Sequence, residues 1–89
     1  MEENNFPNRL TLYRKRMKFS QKDVAQILKT APSAISHYER GVMRPSLERA
    51  LALEIVYRVP VAFFYPELYD KLREQLHDRE SRLQNKEKE

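Results

Sequence analysis

The chain has no cysteine, and it has one glycine in 89 residues. Without cysteine, disulfides and cysteine-based zinc sites are excluded. A single glycine argues against a sheet-and-turn architecture and for helices. Long hydrophobic runs are also missing: nothing approaches the roughly 20 apolar residues needed to span a bilayer. The opening MEENNFPNR lacks the basic-then-apolar form of a signal peptide, so a cytoplasmic protein is expected. There is no glycine-rich phosphate loop and no His-x-x-x-His spacing, so no enzyme, metal or cofactor is expected. Ser36 and His37 are adjacent but do not make a nucleophile–base pair, because neighbours on a helix point about 100° apart.

What is there is positive charge, unevenly spread. The net charge is +4, with 40% hydrophobic residues, enough for one small core. Residues 8–45 hold nine Lys/Arg against Asp23 and Glu39, a net +7, while residues 59–89 carry −1. A basic half joined to a neutral half fits an electrostatic footprint for a polyanion, and on charge alone it fits a solvated, soluble surface equally well.

Hydrophobic spacing organises the chain into helices. Residues 1–7 read as a loose arm. Asn8 suits the cap of a helix over 9–18, with Leu10, Tyr13 and Met17 on one stripe, and Arg14, Lys15 and Lys18 on the other face. Ser20 with Asp23 matches a capping box, and Phe19 with Val24 a hydrophobic staple. These start a helix over 21–28 that buries Val24, Ala25 and Leu28. Lys29-Thr30-Ala31 is a break. Pro32 suits the first turn of a helix over 32–40, and Gly41 suits its end. Ser46 caps a helix over 47–57, to which Leu47, Ala50, Leu51, Leu53, Ile55 and Val56 lend a broad apolar surface. A fifth helix is expected from Pro60 through Phe63, Phe64 and Tyr65. A last one, over 67–83, carries Leu68, Leu72, Leu76 and Leu83 on one side. Residues 84–89 read as a disordered tail.

Residues 20–41 are thus two short helices around a three-residue break, a helix-turn-helix. In the second helix Ile35 and Tyr38 form the buried side. Pro32, Ser33, Ser36, His37 and Arg40 lie away from it. Ser hydroxyls read phosphates or bases, Arg suits guanine or a phosphate, and a helix N-terminus offers N–H groups to a phosphate. Gln21 and Lys22, at the start of the preceding helix, are placed to hold the DNA backbone.

The chain resembles the lambda-repressor-like, xenobiotic-response-element type of helix-turn-helix protein. The resemblance is carried by Ser20-Gln21, Val24-Ala25, Leu28, the run Ser33-x-Ile35-Ser36-x-Tyr38-Glu39-Arg40-Gly41, and Pro45-Ser46-Leu47. It implies an all-α fold: a compact five-helix DNA-binding domain over 8–66, followed by an additional C-terminal helix. It further implies a sequence-specific regulator of double-stranded DNA, a repressor on a palindromic operator. Gln21 would contact the phosphate backbone and buttress the recognition helix. Pro32, Ser33, Ser36, His37 and Arg40 would face the major groove, and Arg44 the flanking backbone. Glu39 would hold a nearby Arg rather than DNA. Two positions depart from the family: Lys29 stands at the tight turn usually taken by glycine, and Pro32 replaces a base-reading polar residue.

A homodimer is expected from the last two helices, through Phe63, Phe64, Leu68, Leu72 and Leu76. Two modules would then reach half-sites roughly 34 Å apart. The competing expectation is a protein-interaction module, such as an antitoxin, that binds a partner protein through the same C-terminal helices.

Overall fold

A computed structural model describes residues 6–87. It is all-α, with five helices: α1 Leu10–Arg16, α2 Gln21–Leu28, α3 Pro32–Arg40, α4 Leu47–Tyr57 and α5 Pro66–Glu87. A single 3-10 turn, Val61–Phe63, joins α4 to α5. It takes the place of the expected fifth helix, because Pro60 and Pro66 bracket a segment too short for more than one turn.

The helix ends follow local chemistry. Ser20 Oγ accepts from the Asp23 N–H at 3.0 Å, and Asp23 Oδ2 accepts from the Ser20 N–H at 2.9 Å. That reciprocal box starts α2. Ser46 Oγ accepts from the Arg49 N–H and starts α4. Left-handed residues stop the helices: Lys29 (φ 58°) after α2, Gly41 (φ 77°) after α3 and Arg58 (φ 64°) after α4. Lys18, expected inside the first helix, is left-handed as well (φ 65°), and α1 therefore ends at Arg16. Arg9 occupies the cap position of α1 without a side-chain bond. Asn8 serves from one residue further out, accepting the Leu10 N–H at 3.0 Å.

The core gathers Leu10 and Tyr13 of α1, Val24 and Ala25 of α2, Ile35 and Tyr38 of α3, Leu53 and Tyr57 of α4, and Phe64. Phe64 is 0% exposed, with its ring 6.0 Å from Tyr13 and 5.8 Å from Tyr57. Full burial of such a side chain stabilises the fold by roughly 1.5–3 kcal/mol. Phe64 is therefore core, and its expected place in a dimer patch is corrected. α4 departs from expectation in the opposite sense. Only Ala50, Leu53 and Tyr57 are buried, while Leu47, Leu51 and Ile55 form an exposed row at spacing i, i+4, i+8.

The chain ends also differ from expectation. Residues 1–5 of the expected arm lie outside the described residues. Phe6 is fastened: its N–H donates to the Gly41 carbonyl at 2.8 Å. Asn8 Nδ2 donates to the carbonyls of Phe6, Tyr38 and Glu39. At the other end α5 continues to Glu87, four residues beyond the expected stop, so residues 84–87 are helix rather than tail.

Candidate nucleic-acid interface

α2 and α3 pack closely on one another, and Val24, Ala25, Ile35 and Tyr38 fill the space between the hairpin and the body. Burying Ile35 and Tyr38 fixes the rotation of α3 about its axis. The same rotation turns Pro32, Ser33 and Arg40 outward as exposed residues, with Ser36 and His37 half-buried between them. Along the helix this face runs about 12 Å at 1.5 Å per residue, comparable with the roughly 12 Å width of the DNA major groove. Ala31 caps α3 without a side-chain bond. The positive end of the helix dipole is thus left open to an anion.

A buried ion pair locks the hairpin to α1. Arg14 Nε lies 2.6 Å from Glu39 Oε2, and the Glu39 side chain is 5% exposed. Arg14 also donates to Glu39 Oε1 at 3.2 Å and to the Phe19 carbonyl at 2.8 Å. Thr11 Oγ1 at 3.0 Å and Gln21 Nε2 at 2.9 Å complete the set on Glu39 Oε1. Burial pushes the Glu39 carboxyl up; the hydrogen bonds from Arg14, Gln21 and Thr11, with the Arg14 charge, outweigh it and hold the group below its ordinary value. The hydrogen bond to Glu39 holds Arg14 charged in turn. Arg14 is accordingly not part of an exposed basic face, as its neighbours Lys15 and Arg16 are. Its burial was legible: Leu10, Tyr13, Arg14 and Met17 share the i, i+3, i+4, i+7 stripe. Thr11 gave no such signal.

Gln21 buttresses α3 from the start of α2. Its amide nitrogen gives one N–H to Glu39. A primary amide has a second N–H and a carbonyl oxygen besides, and the residue is half-exposed at the start of α2. Lys22 beside it is exposed, as is Lys29 at the turn. Arg44 lies beyond the C-terminal end of α3, its guanidinium 3.9 Å over the ring of Phe6. Sequence reasoning missed Phe6, because the contact depends on the N-terminal segment crossing the end of α3. The described residues contain no cluster of His, Asp or Glu able to hold a metal ion. No described helix is long and apolar enough to cross a membrane.

The family model for helix-turn-helix domains, HTH_3, matches residues 10–64, more than half of the chain. The chain belongs to the HTH_3 helix-turn-helix family. No curated protein and no solved structure matches it. The matched span starts with α1 and ends at the buried Phe64. It therefore encloses the HTH_3 core and the whole α2–α3 hairpin, with α5 appended outside it. The HTH_3 fold is a DNA-binding, regulatory one, and α3 is the second helix of its helix-turn-helix.

Proposed function

We propose that the protein is a sequence-specific transcriptional regulator, a cytoplasmic repressor that binds a palindromic operator as a homodimer with α3 in the major groove. One observation carries the reading. The Glu39 network, turned inward, rigidly holds a helix whose outer face is Ser33, Ser36, His37 and Arg40, all hydrogen-bonding side chains. Ser33 and Ser36 read bases or phosphates, and Arg40 pairs with guanine or a phosphate. Pro32 has no donor and touches only methyl or sugar. Gln21, Lys22 and Arg44 hold the backbone on either side, which sets register rather than sequence. Leu68, Leu72, Leu76 and Phe63, all exposed, support the homodimer. Repression follows by occupancy of the promoter, which excludes polymerase.

The deciding experiment is selection from a random DNA library at about 150 mM salt, where nonspecific phosphate binding is weakened. A palindromic consensus supports the reading. Uniform, strongly salt-dependent retention refutes sequence specificity.

A second reading, a protein-interaction module such as an antitoxin, is favoured by the exposed row Leu47, Leu51 and Ile55 on α4 together with the C-terminal helix. Retention of no DNA at all in the same selection would favour it.

A further inference from the structure

α5 packs on the 3-10 turn at its N-terminal end, and every side chain from Glu67 to Glu80 is exposed. Tyr69, Leu72, Leu76 and Leu83 fall on one side of it, and with Arg79 they lie within about 80° of arc. The stripe is apolar except for that one cation. Its surroundings decide how a second copy fits.

We propose that α5 pairs antiparallel with α5 of a second copy, the twofold axis passing at the level of Glu74, which itself lies on the helix face away from the seam. The inference rests on the homodimer reading above and supplies its geometry. In this register Leu72 faces the partner's Leu76, and Tyr69 faces the partner's Arg79. Leucine meets leucine at the centre of the seam, and the one guanidinium within it, Arg79, meets an aromatic ring. The Tyr69 ring already receives a cation on its own helix, with the Arg73 guanidinium 6.0 Å from its centroid. A parallel pair would instead set Arg79 against the partner's Arg79, like charges in the seam, where burial makes repulsion strongest. Arg73 flanks the seam on the same side as the partner's Arg73 in this register, but on the exposed rim, where solvent screens the pair and Asp70 bonds each guanidinium at 3.2 Å. The partner's helix end then runs alongside the 3-10 turn, where Phe63 is exposed.

A chain without cysteine allows a clean test. The full-length variants Leu72→Cys and Leu76→Cys are prepared separately, checked for helix content by circular dichroism, and oxidised alone and as an equimolar mixture. In a twofold pair residue i meets j while j meets i, so the antiparallel register links position 72 to position 76. Cross-linking is expected in the mixture, up to about half of the chains, the statistical share of mixed dimers, and not in either variant alone. Efficient cross-linking of each variant by itself means a parallel pair and overturns the proposal. Dimers in sedimentation that cross-link in no combination place the interface elsewhere and overturn it too. Monomer in sedimentation of the unmodified protein at high micromolar concentration overturns the homodimer reading beneath it, and leaves DNA recognition by α3 to the library selection.

Discussion

Arg14 Nε donates to Glu39 Oε2 across 2.6 Å, joining residues 25 positions apart in sequence. The pair ties α1 to α3, and Gln21 brings the start of α2 to the same carboxylate. The orientation of α3 is therefore held from its inward side, away from the exposed Ser33 and Arg40. Removing one partner of a buried ion pair leaves the other charge uncompensated, at a cost of about 3–5 kcal/mol. Arg14→Met is expected to lose stability of that order in urea denaturation. The double variant Arg14→Met/Glu39→Gln is expected to recover part of it, a non-additivity that a double-mutant cycle measures.

Acid is expected to weaken the same lock. The folded Glu39 carboxyl sits below its ordinary value, so the unfolded chain binds its proton first as pH falls. The contribution is fully present above about 4.3, the ordinary glutamate value, and is lost as pH falls through the folded value. Glu39→Gln is expected to flatten this part of the acid limb of a stability–pH curve. An unchanged acid limb would exclude Glu39 as its source.

Gly41 and Lys29 both adopt left-handed backbone, and opposite outcomes are expected from exchanging their side chains. A Cβ at Gly41 would collide with the backbone of Phe6. Gly41→Ala therefore combines strain at φ 77° with displacement of the N-terminal segment, and a loss above about 1 kcal/mol is expected. Lys29 is exposed at φ 58°, so Lys29→Gly relieves strain and is expected to gain about 1 kcal/mol. Thermal melting of the two variants reads both signs.

On the outer face of α3, Ser33→Ala, His37→Ala and Arg40→Ala are expected to leave the melting temperature unchanged while weakening operator binding. A lost base contact costs about 1–3 kcal/mol and relaxes preference at one base pair. A lost phosphate contact, expected of Lys22→Ala and Arg44→Ala, weakens all sequences alike and lowers the salt slope by about 1. Titrations at several salt concentrations separate the two kinds.

On α5, Leu72→Glu and Leu76→Glu place charge on exposed positions outside the matched domain. The helix-turn-helix core is expected to stay folded, with sedimentation shifting to monomer and affinity for a palindromic site falling toward that of a half-site. Unchanged sedimentation would remove α5 from the interface.

Local chemistry determined much of this protein in advance. The Ser20–Asp23 box, Pro32, Gly41 and Ser46 are signals that act within a few residues, and the bounds of α2, α3 and α4 follow from them because caps satisfy orphan N–H groups wherever they occur. Ile35 and Tyr38, three apart, likewise sufficed to say which side of α3 turns outward. The rest needed the tertiary structure, because it depends on which surface meets which. Arg14 reads by its charge as a surface cation; its place on the stripe of Leu10, Tyr13 and Met17 marks burial, but nothing local reveals that its partner is Glu39, 25 residues away. Phe6 read as part of a loose arm, yet Gly41 leaves room for its backbone and Arg44 covers its ring. Phe63 and Phe64 are chemically identical neighbours, one exposed and one in the centre of the core. The turn between two prolines sets which ring points inward, and no pattern of apolar residues distinguishes them. On α4 the apolar positions outnumber those the core accommodates. Packing around Leu53 and Tyr57 selected one side of the helix, leaving Leu47, Leu51 and Ile55 to solvent.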